Sequence, residues 1–135
     1  MWVNERATER RRRKAREQLI EDHIEGAWTS LCSEVRKSVD AYCQEFPDDA
    51  KSTHCNGKQP NAITVTTGAS RAIITFDKGG RKVSAQLNGS EDPKVFTVAI
   101  QADDIVGFSS GRNEVAPEAV CRNILDPLLF PDLQG

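Results

Sequence analysis

The sequence predicts a two-layer α+β protein: a long N-terminal helix, a four- to five-stranded antiparallel meander, and a C-terminal helix, with both helices covering one face of the sheet. Three observations predict it. Apolar residues recur every three or four positions from Leu19 to Phe46, the period falls to two after Ala62, and a helical period returns in the last twenty or so residues.

The first helix follows from Ile20, Ile24, Ala27, Leu31, Val35, Ser38, Tyr42 and Phe46, a stripe widened by Trp28 and Val39. Pro47 ends it, and "PDDAKSTHCNGKQPN" reads as a connecting loop. The stripe does not continue backward, because the same face meets Glu17 or Arg16, then Arg13, then Glu9 or Arg10. Arg, Lys, Glu and Ala still favour helix, and Glu9 to Arg13 is a favourable i, i+4 pair. Residues 1–16 are therefore expected to form a charged helical arm, and 17–135 a single α+β domain.

The meander follows from "AITVTT", "SRAIITF", "RKVSAQL", "KVFTVAI" and "DIVGFS", separated by "TGAS", "DKGG", "NGSEDP" and "QADD". Ala72, Ile74 and Phe76, then Val83, Ala85 and Leu87, then Phe96, Val98 and Ile100 should share the buried face. Arg71, Thr75, Lys82, Ser84, Gln86 and Thr97 should face outward. In the tail "NEVAPEAVCRNILDPLLF", Pro117 suits a first helical turn, Glu118 suits its positive end, and Asp126-Pro127 should stop the helix.

A chain of 135 residues can bury roughly two-thirds of its unfolded surface, enough for one self-sufficient core. The mean hydropathy of −0.52 implies that part of the chain stays outside that core. Charge is unevenly divided. Arg6, Arg10, Arg11, Arg12, Arg13, Lys14 and Arg16 stand against Glu5 and Glu9, so residues 1–16 carry +5, and a total of −2 leaves −7 on the other 119. An acidic body repels phosphate, so any nucleic-acid contact falls to the arm. The opening residues lack an apolar signal region, and no run approaches the ~18 apolar residues of a membrane span. The four cysteines are then expected to be reduced thiols in a cytoplasmic protein.

Chemistry is mostly missing. Cys32 and Cys43 share a helix face about 16 Å apart, too far for one zinc. Cys43, His54 and Cys55 supply three ligands at most, and a buried Cys43 beside an exposed loop pair is the plainer reading. His23 lies beside the apolar stripe with no nucleophile motif anywhere in the chain. "DKGGRK" sits between strands, where a hairpin explains it. Turn chemistry explains Asp103-Asp104, a loop explains Asp48-Asp49, and "NGS" at residues 88–90 reads as a turn rather than a glycosylated sequon. No metal, cofactor or catalytic set is expected. Trp28 belongs to the core by its spacing, whereas Trp2-Val3 precede a charged arm and have no evident core partner.

The seven cations of the arm admit three readings. Binding nucleic acid would use salt-dependent phosphate contacts, yet Arg10–Arg13 span ~300° of a helix and no aromatic interleaves them. A membrane surface would need an apolar face, and beyond Trp2 and Val3 the arm has only Ala7 and Ala15. The third reading is a solvated helix end whose charge meets another copy or an acidic partner. The expectation is a non-enzymatic, self-associating protein-interaction module, using the long helix or the open sheet face. The alternative is sequence-independent nucleic-acid binding by the arm.

Overall fold

The structure is a computed structural model describing residues 1–88, 92–102 and 104–134. It contains helix α1 (Trp2–Glu45), a 3₁₀ turn at Ala50–Ser52, strands β1 (Thr53–Asn56), β2 (Ala62–Thr67), β3 (Ser70–Asp77), β4 (Lys82–Leu87), β5 (Lys94–Ile100), β6 (Val106–Ser110) and β7 (Asn113–Val115), then helix α2 (Pro117–Leu129) and a 3₁₀ turn at Pro131–Leu133. The strands form one antiparallel sheet in sequence order, β1 through β7.

The period-2 pattern becomes a buried inner face, because alternate side chains leave a strand on opposite sides. Registered pairs build apolar rows across it: Val65, Ala72 and Leu87; Ile63, Ile74 and Ala85; Phe76, Val83 and Phe96; Val98, Phe108 and Val115. α1 lays Ile20, Ile24, Trp28, Leu31, Cys32, Val35 and Val39 on this face, and α2 adds Val120, Cys121, Ile124, Leu125, Leu128 and Leu129. Burying one such aliphatic or aromatic side chain contributes roughly 1.5–3 kcal/mol, so these two stripes anchor the layer. Trp28 is core: its ring stacks on Phe76 at 5.3 Å, and its Nε1–H donates to the Pro60 carbonyl at 2.9 Å. The outer face is largely polar as expected, with Ile73 (37% exposed) and Val95 (48%) as its large exposed apolar side chains among the described residues.

The sheet has seven strands rather than four or five, and both additions are edges. β1 lies inside the segment read as a loop. Its four residues show no apolar alternation, and it forms by pairing along β2, with Thr53 opposite Thr67 and Cys55 opposite Val65. Buried Thr53 is satisfied by its hydroxyl, which donates to the Asp49 carbonyl at 2.8 Å and lies 3.0 Å from the Thr67 hydroxyl. β7 takes Asn113–Val115, which the sequence assigned to the tail helix. A two-residue turn, Gly111-Arg112, precedes it, and Gly111 has φ +62°. The β2–β3 turn uses Gly68-Ala69 in the same way, with φ +57° at Gly68, a region that favours glycine. The "DKGG" hairpin is closed by Asp77, whose Oδ1 accepts the Gly80 N–H at 2.9 Å. The sequon reading at 88–90 and the pair Asp103-Asp104 fall partly outside the described residues.

A second correction concerns Pro127: expected to stop α2, it lies inside the helix. Proline has no N–H, so the carbonyl of Asn123 one turn earlier loses its helical donor. Lys94 on β5 supplies the replacement, its Nζ donating to the Asn123 carbonyl at 2.6 Å. The helix thus continues to bury Leu128 and Leu129. Replacing Lys94 by Met should therefore destabilise the fold by about 1 kcal/mol in urea denaturation, the exposed side of the range for a charge-assisted hydrogen bond. The same substitution beside Pro127→Ala should cost clearly less, because alanine restores the backbone donor that proline lacks; equal costs in both backgrounds would refute the compensation.

Candidate interaction site

α1 is one uninterrupted helix, so the arm expected over residues 1–16 projects from the body as its first turns. Through residue 18 every position is exposed except half-buried Ala7. Good helix formers and a body-anchored second half extend the helix without a new nucleation step. All seven cations lie here. Glu9 holds two of them, accepting from Arg6 at 2.9 Å and lying 3.6 Å from Arg13. Arg10, Arg11, Arg12, Lys14 and Arg16 have no ion-pair or hydrogen-bond partner among the described residues. The structure does not gather them on one face; at about 100° per residue they ring the helix. At the tip Trp2 is 71% exposed, and Val3 is also exposed.

Where α1 enters the body, an open groove of about 830 Å³ runs between it and the β5–β6 end of the sheet. Leu19, His23, Gly26 and Ser30 line it from α1, and Ile105, 57% exposed, and Pro117 face them. Among the described residues, Asp104 and Glu114 are its acidic groups, and no Lys or Arg lines it. Glu114 also fixes the loop, its Oε1 accepting the Ala102 N–H at 2.7 Å. A second, apolar groove lies between the far end of α1 and α2. There Tyr42, Phe46 and Phe130 pack ring against ring at centroid distances of 4.9, 5.6 and 6.0 Å. The Tyr42 hydroxyl donates to Asp49 at 3.1 Å, and burial followed by that carboxylate pushes its pKa up.

His23 is exposed on the groove wall, and His54 is exposed on β1. Neither hydrogen-bonds to another side chain among the described residues. His54 and Cys55 sit on a strand rather than in a loop, so they point to opposite faces. Cys55 turns inward toward α1, and Cys43 is half-buried, 3.9 Å from the Thr53 carbonyl. Among the described residues no group of three or more His, Cys, Asp or Glu is placed to hold a metal. All four cysteines are free thiols. Burial pushes Cys32, Cys55 and Cys121 up, opposed for the first two by Arg36 and for the third by its hydrogen bond with Ser38.

The structure places the arm's seven cations on the first turns of α1; the groove escaped sequence reasoning. Its walls come from α1 and the β5–β6 connection, some eighty residues apart, and no local pattern joins them. No helix among the described residues is long and apolar enough to cross a membrane. The chain matches no protein-family model, no curated protein and no solved structure.

Two outcomes check this geometry. Removing residues 1–16 should leave the urea midpoint and slope of the monomer unchanged, since those residues bury almost nothing against the body; a lower midpoint in dilute protein would show that the arm packs. The thiols set an alkaline limit. Their folded pKa values lie above the ordinary 9.0, so their contribution is complete below that value and is lost as pH rises through the folded values. The thermal midpoint should fall more steeply above pH 9.0 in the wild type than in a Cys32→Ala/Cys121→Ala variant.

Proposed function

We propose that this protein is a non-catalytic interaction module that self-associates through its long helix. The observation that carries the reading is the arm: five cations without a partner among the described residues, and an exposed tryptophan, on helical turns exposed at every position but Ala7 and attached to a body of opposite charge. The arm buries almost nothing to offset the entropy of ordering it, and its +5 charge works against it. A partner surface of negative charge relieves both costs. The open sheet face is the weaker candidate for association, since Ile73 and Val95 stand apart among Thr, Ser and charged residues. The free state of all four cysteines supports a reducing, cytoplasmic setting.

The unpaired cations between Arg10 and Arg16 favour a second reading, sequence-independent nucleic-acid binding, which the acidic body weakens. Light scattering on a sizing column separates the two. Self-association predicts a mass above the 14.9 kDa of one chain at high micromolar concentration, returning to monomer in high salt or when residues 1–16 are removed. A strict monomer refutes it. A monomer whose low-salt gel shift of DNA or RNA disappears with the arm would establish the second reading instead.

A further inference from the structure

We infer that two copies pair antiparallel along α1, each placing its arm on the acidic second segment of the other's helix. The inference rests on the self-association proposed above and gives it a surface. Its first support is a division of charge within α1. Residues 1–16 carry +5, and residues 17–35 hold Glu17, Glu21, Asp22, Glu25 and Glu34 with no Lys or Arg, a net of −5. One chain cannot use this complementarity, because the blocks are consecutive on one helix. Trp2 stands about 25 Å from Leu19 at 1.5 Å per residue. Only another molecule can bring an arm to an acidic block.

The second support is the shape of the line along which the helices would meet. Thr8, Arg12, Ala15, Leu19, Asp22 and Gly26 are spaced three and four apart, off the buried stripe of α1, with Leu19 and Gly26 also on the groove wall. None is buried. Reversed about Glu17, the line superposes on itself: Arg12 meets Asp22, Thr8 meets Gly26 and Ala15 meets Leu19. This is the self-complementarity that a two-fold interface requires. Arg11 and Lys14 flank the line on the edge that also carries Glu21, so the lateral charges match there; Glu25 on the same edge is already held by Lys78. Glu17, at the midpoint, lies on the azimuth of the buried stripe and so stays off the line, and the cationic blocks do not overlap.

Gly26 supplies the third support. In a helix interior glycine costs about 1 kcal/mol relative to alanine. Beyond its chain neighbours and its own helix backbone, no atom of the described residues lies within 4 Å of where its Cβ would stand, so no contact among them requires glycine there. A missing side chain lets a second helix approach at the close end of the usual separation of about 8–10 Å. The groove beside it adds Asp104 and Glu114 to the acidic surface under the docked arm.

Charge exchange tests the pairing. One variant carries Arg11→Glu and Arg12→Glu, another Glu21→Lys and Asp22→Lys; all four positions are exposed, and circular dichroism confirms folding. Each variant alone should run as a 14.9 kDa monomer where the wild type associates, and an equimolar mixture should regain twice that mass. A single chain carrying all four substitutions should also associate. If the wild type associates and either variant still does so alone, or the mixture stays monomeric, this pairing is overturned and self-association uses another surface. If the wild type itself is monomeric, the self-association reading falls and the pairing with it.

Discussion

One constraint organises the molecule: a seven-stranded sheet with an apolar face has only two helices to cover it. α1 is the larger cover, and its stripe from Ile20 to Val39 runs across the sheet, contacting β1, β5 and β6. Losing a large side chain from such a stripe typically costs about 2–5 kcal/mol, so α1 cannot shift along the sheet or roll on it without losing the core. Trp28 fixes the roll further, because its indole both stacks on Phe76 and donates to Pro60 from one rotamer. The Lys78–Glu25 pair at 2.8 Å joins the β3–β4 hairpin to the same helix, though its exposure keeps its worth small. Once the second half of α1 is fixed, the first half has a defined direction. The arm is aimed by the core although it is not part of it.

The far end of the molecule solves a related problem. α2 runs beside α1, joined to it where the Ser38 hydroxyl meets the Cys121 thiol at 3.3 Å. Its last turn must bury Leu128 and Leu129, yet Pro127 interrupts the hydrogen-bond ladder there. Lys94 reaches across from β5 to occupy the carbonyl that proline leaves open. Sheet and helix are thereby linked by a polar contact at a point where the helix alone would fray.

The elements legible in the sequence were those in which burial imposes a period. Ile20 through Val39 and the alternation in β2 to β5 read directly, because each buried side chain recurs at the spacing of its own element. β1 and β7 did not, since an edge strand of three or four residues takes its conformation from the neighbour's hydrogen bonds and shows little pattern of its own. Gly111-Arg112 was a usable signal for β7, of the same Gly-X kind as Gly68-Ala69. The continuation of α2 through Pro127 depended on a lysine twenty-nine residues from the carbonyl it serves, a tertiary contact no window contains. The arm's residues were legible as charged helix. That five of them lack a partner among the described residues, and that Gly26 has open space beside it there, needed the folded chain.

The proposed function therefore rests on a helix with two parts: its second half completes the core, and its first carries cations that are mostly unpaired among the described residues. Amide hydrogen exchange along α1, followed with protein concentration, tests this most directly. Residues 20–45 should be protected at every concentration. Residues 2–18 should exchange rapidly in dilute protein, gain protection as concentration rises, and lose it again in high salt. Protection of the arm that is the same at every dilution, or no protection at any concentration, would contradict the account.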